Sequence, residues 1–333
     1  MLLRVLGAAD ARRVGELIAA VGVLGVALLL VPQLASLALE SVGWQRAFRL
    51  IGCRPAFASL FRVRLATEAL SQSLPAGALI CESVKPLLLG RRCGLSVEAS
   101  VAGMAARKYL LVLSQSAYVF VLALLGFDAV QRVSRSVIQA DGLGFVGLAA
   151  GASLLGVALV IRQVFGRGRA AERVLSLLKR LPFEGARRFG TNAAGGFQRT
   201  DRAMEQFFSS KSRELAGPAL LFLGGWLLES LETWLILRVL GIELGFVEVA
   251  AFEVLLSFLR NVLFVLPAGL GVQDLGYVTF VAALGVPDAA NAGAAFVVLK
   301  RAKELFWIGV GYTLLGFELK PSKAVETAGV GPA

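Results

Sequence analysis

Two carboxylates stand at matching distances from two copies of one four-residue motif. The motif LPAG occurs twice, 192 positions apart, and in each copy an acid follows the proline by seven residues. Glu82 follows Pro75 in this way, and Asp274 follows Pro267. A carboxylate accepts a proton, pairs with a cation or accepts hydrogen bonds. Two such groups could therefore serve acid–base chemistry or hold a charged ligand, if the fold brings them to one site.

Other residue types narrow the chemistry that these acids could perform. The chain has no histidine, and its three cysteines lack CxxC spacing, which excludes the usual Cys/His zinc sites and histidine-based triads. A GxxxxGK[ST] phosphate loop is absent from the sequence, which excludes a nucleotide motor of that class. We therefore expect no catalytic constellation, no metal and no cofactor.

Composition indicates that the elements carrying these residues lie in a membrane. Of 333 residues, 57% are hydrophobic, against roughly 45–50% in a soluble domain, and the mean hydropathy is +0.74. Five stretches each contain about 20 mainly apolar residues, enough to cross the hydrocarbon core. We interpret the chain as an all-α polytopic membrane protein, with one transmembrane domain at 1–320 and a disordered tail at 321–333. The predicted spans are 15–39, 97–126, 142–165, 215–240 and 289–315.

Two regions between the spans, 56–89 and 246–284, are unsuited to simple crossings. In each, a front leg carries charged residues and a back leg is too short to cross the bilayer. Proline removes a backbone donor and glycine permits a chain reversal. We therefore predict that each region bends at LPAG into a re-entrant helical hairpin. The predicted helix breaks are Pro75, Gly77, Pro267, Gly269 and Gly271.

The order of these elements repeats along the chain. Each predicted hairpin lies between two apolar spans, which gives repeat units at 15–126 and 215–316 with a linking span at 142–165. Each unit makes two full crossings, so the extra span turns the second copy upside down. The order predicts an inverted-topology repeat, an arrangement that many transporters use.

One long polar interval, 166–214, is basic. Its positions 167–214 hold eleven Lys/Arg against five Asp/Glu. Such a segment between spans is typical of the cytoplasmic side, whereas a free basic domain would favour nucleic acid. Apolar residues at 174–181 indicate an amphipathic helix, on the inner leaflet or packed on its neighbours, and the glycines of FGTNAAGGF (189–197) indicate a loop. We expect this segment, the interval 44–64 with its five arginines, and the C-terminus to face the cytoplasm of an inner (plasma) membrane.

Polar residues within the predicted hairpins and spans form the candidate substrate pathway. A charge at membrane depth costs about 2.5–3.5 kcal/mol on insertion scales, so a concentrated set predicts a function. The alternative is that each residue belongs to a buried pair that joins helices, or that its side chain reaches back to the headgroups. Several lie three apart and so share a helix face. The pathway candidates are Glu68, Gln72, Glu82, Lys85, Arg107, Glu229, Glu232, Arg260, Asn261, Gln273, Asp274, Arg301 and Glu304.

At the two hairpins the sequence resembles a known family. LPAGALICES followed by KPLLLGRR resembles the first Pro-Gly-acid stretch of the flippase-like membrane family that includes the membrane half of lysylphosphatidylglycerol synthases. LPAGLGVQDLGY resembles the second stretch, and KRAKELFW resembles the basic-acidic pattern of the last span. One branch of the family is associated with hopanoid gene clusters. The resemblance reaches from the first span to Leu315 and implies a lipid-handling membrane protein.

The chain departs from the family pattern at several positions. Asp274 stands where members commonly carry Glu, Cys81 replaces a glycine before the first acid, and Gln72 replaces an asparagine. Members commonly begin with one more span, and Trp44 here follows the first span as it usually follows a member's second. We expect no aminoacyl-transferring domain, so that activity of the synthases is not carried over.

Together these features predict a lipid translocase that works by alternating access. Half-helix ends and the cations Arg107, Arg260 and Arg301 would hold a polar headgroup, with Glu82 and Asp274 as counter-charges or proton-linked switches. One alternative is a non-catalytic accessory subunit of a lipid-synthesis pathway. Another is a membrane enzyme that uses the two acids as an acid–base pair. The expected partners are membrane lipids with anionic or polar headgroups, isoprenoid-type lipids and lipid-biosynthesis enzymes, but no nucleic acid.

Overall fold

The computed structural model describes residues 9–166, 194–262 and 271–319. Regular structure within these ranges is entirely α-helical, which confirms the predicted all-α class. The helices are α1 (Ala11–Leu50), α2 (Phe57–Ser73), α3 (Gly77–Cys93), α4 (Val97–Leu125), α5 (Phe127–Ile138), α6 (Leu143–Phe165), α7 (Ala194–Ser209), α8 (Ser212–Val239), α9 (Phe246–Val262), α10 (Val272–Ala283) and α11 (Ala289–Leu319).

Four helices of the described ranges are long and apolar enough to cross a membrane: α1, α4, α6 and α8. They coincide with four of the five predicted spans and make the chain a multi-pass membrane protein. The fifth predicted span, 289–315, forms the 31-residue helix α11. By the same measure of length and apolarity it does not qualify, because Lys300, Arg301, Lys303 and Glu304 interrupt its apolar run.

Helix α1 is longer than the predicted span and is not straight. Asp10 caps its start by accepting a hydrogen bond from the Arg12 amide at 2.9 Å, and Gly22 breaks the helical geometry with φ +66°. The helix continues to Leu50, so the predicted basic interval 44–64 consists of the end of α1, a short connection and the first half of α2. Arg64 does not face water there, since its side chain is only 12% exposed.

Helices α2 and α3 meet at a sharp turn over residues 74–76. Ala76 takes the left-handed conformation with φ +51°. A Cβ atom on Gly77 would lie 2.3 Å from the Leu70 carbonyl oxygen and 2.7 Å from that of Ser71, so only glycine fits. Helix α2 ends at Ser73 and α3 begins at Gly77, so Pro75 lies in the turn between them. Helix α3 has 17 residues, about 26 Å of helix, which is shorter than the hydrocarbon core.

The second motif separates α9 from α10. Pro267 and Gly269 lie outside the described residues, but Gly271 precedes α10 with φ +81°. The Gly271 amide donates to the Asp274 carboxylate at 3.0 Å, which caps the helix. Helix α10 has 12 residues, about 18 Å, so this back leg is also short.

Helices α1 and α8 form a long antiparallel contact. Gly43 of α1 faces Phe222, whereas Gly217, earlier in α8, faces Arg46, later in α1. The Ser36 hydroxyl donates to the carbonyl of Gly225 at 3.3 Å. Small residues on both helices allow this close approach.

Many of the other helix contacts fall into corresponding sets. Helix α2 packs on α11 as α9 packs on α4, and α1 packs on α11 as α8 packs on α4. In the same way, α3 packs on α4 and α2, while α10 packs on α11 and α9. The groups α1–α4 and α8–α11 therefore make matching neighbours.

Two short helices were not predicted. Helix α5 follows α4 directly, and α7 begins at Ala194, so the loop predicted at 189–197 is wrong for its last four residues. Met204, Phe207 and Phe208 of α7 are buried, and the Phe208 ring lies 4.9 Å from that of Tyr109 on α4. This apolar face packs on protein. The amphipathic segment predicted at 174–181 and the tail at 321–333 lie outside the described residues.

Candidate functional site

A first buried charge network joins α1, α2 and α4. One carboxylate oxygen of Glu40 accepts from Arg64 Nη2 at 2.9 Å and from Arg107 Nη2 at 3.0 Å. Arg64 also pairs with Glu68 one turn along α2, and the other oxygen of Glu68 accepts from the Gln72 amide at 3.0 Å. The Glu40, Arg64 and Arg107 side chains are 13%, 12% and 7% exposed. The network thus crosses three helices largely out of contact with solvent.

Arg107 is held by aromatic rings as well as by Glu40. Its guanidinium carbon lies 5.6 Å from the centre of the Trp44 ring and 5.9 Å from that of Phe222. Such cation–π contacts stabilise a desolvated arginine. Because Arg107 is enclosed and already paired, it fits a role in holding Glu40 better than the predicted contact with a lipid headgroup.

Glu82 and Lys85 form a separate pair on α3. The Lys85 Nζ lies 2.7 Å from a Glu82 carboxylate oxygen, as their three-residue spacing predicted. The two partners differ in accessibility, since the Lys85 side chain is 3% exposed and that of Glu82 is 39% exposed. Glu82 is therefore a charge that a ligand could reach.

A second buried network joins α8, α9, α10 and α11. Its centre is Glu253 on α9, whose side chain is 3% exposed. One oxygen of Glu253 accepts from the hydroxyls of Thr233 and Tyr277 and lies 3.7 Å from Lys300 Nζ. Lys300 also donates to the Thr233 hydroxyl at 3.4 Å. Four helices therefore meet at one carboxylate.

A further ion pair extends this network towards α1. Lys303 of α11 donates to Glu232 of α8, with side chains 7% and 2% exposed. Lys303 also donates to the Gln33 side chain of α1 at 3.4 Å. Since Glu232 adjoins Thr233 in the chain, the two ion pairs form one continuous polar cluster.

A third cluster contains three of the predicted pathway residues. Arg301 donates through Nε and Nη2 to one oxygen of Asp274, at 3.0 and 2.7 Å. Its Nη1 donates to Glu304 at 2.6 Å. The Arg301, Asp274 and Glu304 side chains are 18%, 15% and 14% exposed, so this cluster is more accessible than the Glu253 network. It lies at the N-terminal end of α10, directly after the second motif.

The two main networks each involve the helix that leads into one of the motifs. Arg64 lies on α2, eleven residues before Pro75, and Glu253 lies on α9, fourteen residues before Pro267. An arginine surrounded by acids on the first of these helices and an acid surrounded by lysine and hydroxyl groups on the second are therefore offset by about one helical turn.

The structure groups most of the predicted pathway residues into pairs or clusters, but their role in transport stays a prediction. Gln273 is 3% exposed and Glu229 is half-buried. The side chains of Arg260 and Asn261 lie outside the described residues. Residues that the pathway prediction omitted, although they hold the networks together, are Glu40, Arg64, Glu253, Tyr277, Lys300 and Lys303.

The sequence indicated some of these omitted residues more clearly than others. Glu40 lies one residue past the predicted first span, where a charge suggests a helix end. Glu253 and Lys300 are charges within long helices and could have been included on that ground. Tyr277 is an uncharged aromatic residue, and nothing in its surroundings in sequence indicates a buried hydroxyl contact.

A cleft lies apart from these networks, between α5 and α6. Its volume is about 510 Å³, and Arg132 and Arg135 at its rim pair with Glu248 and Asp141 at 2.8 and 2.7 Å. The lining residues are Phe127, Asp128, Gln131, Arg132, Arg135, Asp141 and Phe145. None of them belongs to the predicted pathway.

Carboxylates, ammonium and guanidinium groups are the chemistry that the three networks offer. They can bind charged headgroups, exchange protons and hold helices together. A comparison with curated proteins finds no match. The sequence profile of the lysylphosphatidylglycerol synthase TM region matches residues 1–308 of the 333, which includes both motifs and all three networks. The chain belongs to the family of the lysylphosphatidylglycerol synthase TM region.

Proposed function

We propose that this protein is a lipid translocase, which moves a polar-headgroup or isoprenoid-type lipid across or within the inner membrane. The observation that carries the proposal is the burial of charged networks at corresponding helices of a multi-pass membrane protein. Buried charge costs free energy in a membrane and accompanies substrate or ion pathways. Membership of a family tied to lipid handling makes a lipid the favoured substrate.

An inverted repeat would give this translocase its two access states. The antiparallel course of α1 and α8, and the corresponding contacts of α1–α4 and α8–α11, support such a repeat. The turn at the first motif and the positive φ of Gly271 after the second motif support a hairpin in each unit. Rocking of one unit against the other would expose a central site first to one side of the membrane and then to the other.

The accessible charges are the best candidates for contact with the headgroup. Glu82 is 39% exposed, and Arg301 with Asp274 lies next to the N-terminus of α10, where backbone amides attract anions. Arg301 would bind an anionic group, and Asp274 would keep Arg301 in position. The acyl or isoprenoid chain would stay in the bilayer. The enclosed network at Glu40 would hold α1, α2 and α4 together.

Amide substitutions at the two motif acids test the proposal. Glu82→Gln and Asp274→Asn keep the shape of each side chain and remove its charge. We expect both variants to lose translocation of a headgroup-labelled lipid in proteoliposomes while they remain folded. Glu243→Gln is the control, because the Glu243 side chain is 86% exposed and lies outside the networks. A melting curve of each variant accompanies the assay.

The possible results separate the competing functions. Wild-type rates in both amide variants would contradict a role for the two acids. Loss of translocation only together with loss of stability would favour ion pairs that join helices. A wild-type protein that moves no lipid, yet is required for synthesis of a lipid in cells, would favour the accessory subunit. Chemical change of the labelled headgroup would favour the enzyme.

A further inference from the structure

We propose that the Glu253 network is a proton-binding site that couples lipid movement to a proton gradient, whereas the Glu40 network is a fixed connection. This inference rests on the proposed translocase function and assigns its source of energy. It identifies the ligand as a proton and the binding group as the Glu253 carboxylate on α9.

The two networks differ in the kind of cation that they contain. Arg64 and Arg107 hold Glu40, and a guanidinium group stays charged under all ordinary conditions. Two guanidinium groups donate to one oxygen of Glu40 at 2.9 and 3.0 Å, so both cationic partners of this carboxylate carry a fixed charge. Glu253 instead has two hydroxyl donors and one ammonium group at 3.7 Å. Carboxylate, hydroxyl and ammonium groups all exchange protons, so the second network can change its charge.

The groups that face Glu253 come from three helices. They are Thr233 on α8, Tyr277 on α10 and Lys300 on α11. Helices α4, α5 and α6 also pack on α9, but Arg132 of α5 pairs with Glu248 of α9 instead. Titratable groups around Lys300 are Tyr277, Glu253, Glu232 and Glu304. On α4, the Tyr118 hydroxyl hydrogen-bonds Ser230 at 2.5 Å.

Charge balance shows what one proton would change. When all four groups are ionised, Glu232 and Glu253 contribute two negative charges, and Lys300 and Lys303 contribute two positive charges. The network then has no net charge. Hydronium gives one proton to the Glu253 carboxylate and leaves as water, which forms an O–H bond on Glu253 and raises the net charge of the network to +1. The attraction between Glu253 and Lys300 is then lost, while Lys303 keeps its pair with Glu232. The contact between α9 and α11 then weakens, and α9 becomes free to move relative to α11.

The position of Glu253 in the fold links its protonation to the proposed headgroup contact. Glu253 lies on α9, the leg that leads into the second motif, and Tyr277 lies three residues after Asp274. The Asp274–Arg301 pair, the proposed headgroup contact, is therefore one helical turn from a direct partner of Glu253. Protonation of Glu253 and binding of the lipid can thus influence each other through α10 and α11.

Transport measured with and without a pH gradient tests the coupling. In proteoliposomes, wild-type translocation of the labelled lipid should respond to a gradient imposed across the membrane. Glu253→Gln should move lipid at the same rate with and without the gradient. The matched control is Glu68→Gln in the first network, which should keep the ratio of the two rates whatever its absolute rate. A gradient response that persists in Glu253→Gln would overturn the proposal.

A second measurement does not depend on transport or on one variant. Infrared difference spectra of the protein in lipid, between acidic and alkaline buffer, should contain a band of a protonated buried carboxyl group. Glu253→Gln should lose this band, and Glu68→Gln should keep it. Where Glu253→Gln does not fold, Glu253→Asp should shift the band and retain the gradient response.

The results distinguish failure of this inference from failure of the proposed function. Lipid translocation that ignores the gradient, with no band that depends on Glu253, would refute the proton site and leave the translocase standing. A band that depends on Glu253, in a protein that moves no lipid, would support the proton site and contradict the proposed function.

Discussion

Removal of the charge on Glu40 tests whether the first network holds three helices together. Glu40 is 13% exposed and accepts from both Arg64 and Arg107. In Glu40→Gln, Arg64 keeps its pair with Glu68. Arg107 loses the charge partner that it has in the structure, and its side chain is only 7% exposed. A positive charge would therefore remain buried without its ion-pair partner.

The size of the effect follows from that geometry. Breaking a buried ion pair by removing one partner costs about 3–5 kcal/mol. Glutamine keeps an oxygen that can accept a hydrogen bond from Arg107, and the aromatic contacts of Arg107 remain. We therefore expect a loss of stability at the lower end of this range. A cost of about 3 kcal/mol lowers the folding equilibrium constant roughly 150-fold. Glu243→Gln at the exposed Arg238 pair should cost about 0–1 kcal/mol.

Reversible unfolding in mixed micelles, by titration with a denaturing detergent, measures these costs. Tryptophan fluorescence follows the transition, and Trp44 lies beside Arg107. The double variant Glu40→Gln with Arg107→Gln should be more stable than the sum of the single losses predicts, because it removes both charges. If Glu40→Gln costs no more than Glu243→Gln, the network does not hold the helices and the reasoning fails.

Three further predictions concern the first turn, the orientation and the second acid. Gly77→Ala should abolish stable expression, because its Cβ would meet the Leu70 carbonyl oxygen at 2.3 Å, whereas Gly156→Ala, with open space at its Cβ, should be neutral or stabilising by up to about 1 kcal/mol; equal expression levels would contradict the close contact. The expected cytoplasmic position of 166–214 places Ser136, on the other side of the predicted span 142–165, outside the cell. In a cysteine-free background, Ser136→Cys should therefore react with an impermeant thiol reagent from outside and Ser209→Cys should not. Both positions are exposed, and the reverse labelling would overturn the predicted topology. Asp274→Glu should retain lipid translocation in the proteoliposome assay, because it keeps the charge and a cap for α10; inactivity in a folded variant would show that side-chain length is decisive.

Local sequence patterns predicted the features of this fold that depend on near neighbours. The apolar runs of the predicted spans 97–126, 142–165 and 215–240 identified α4, α6 and α8. Proline followed by glycine identified the turn at Pro75 and Gly77. Three-residue spacing identified the Glu82–Lys85 contact, because such residues share a helix face. These features follow from the geometry of a single helix or turn.

Contacts between helices could not be predicted in this way. Glu40 and Arg107 are 67 positions apart, and no local rule links them. Two glycines predicted a loop at the start of α7. Burial of Phe207 and Phe208 against other helices stabilises a helix there despite the low helix propensity of glycine. The predicted span 289–315 forms α11, and the partners of its charges could not be predicted either, since Glu232 and Glu253 on other helices neutralise Lys303 and Lys300.

The antiparallel contact of α1 with α8 has the form of the interface in a two-fold symmetric dimer, in which each partner presents the same surface. In a dimer of identical chains, one gene change alters both halves at once, so corresponding positions always carry the same side chain. A single chain that contains both halves is free of this restriction. Arg64 and Glu253 lie on the corresponding helices α2 and α9 and carry opposite charges. Such a difference can arise only where the two halves are encoded separately. The difference allows one half to keep a structural role while the other half changes its charge.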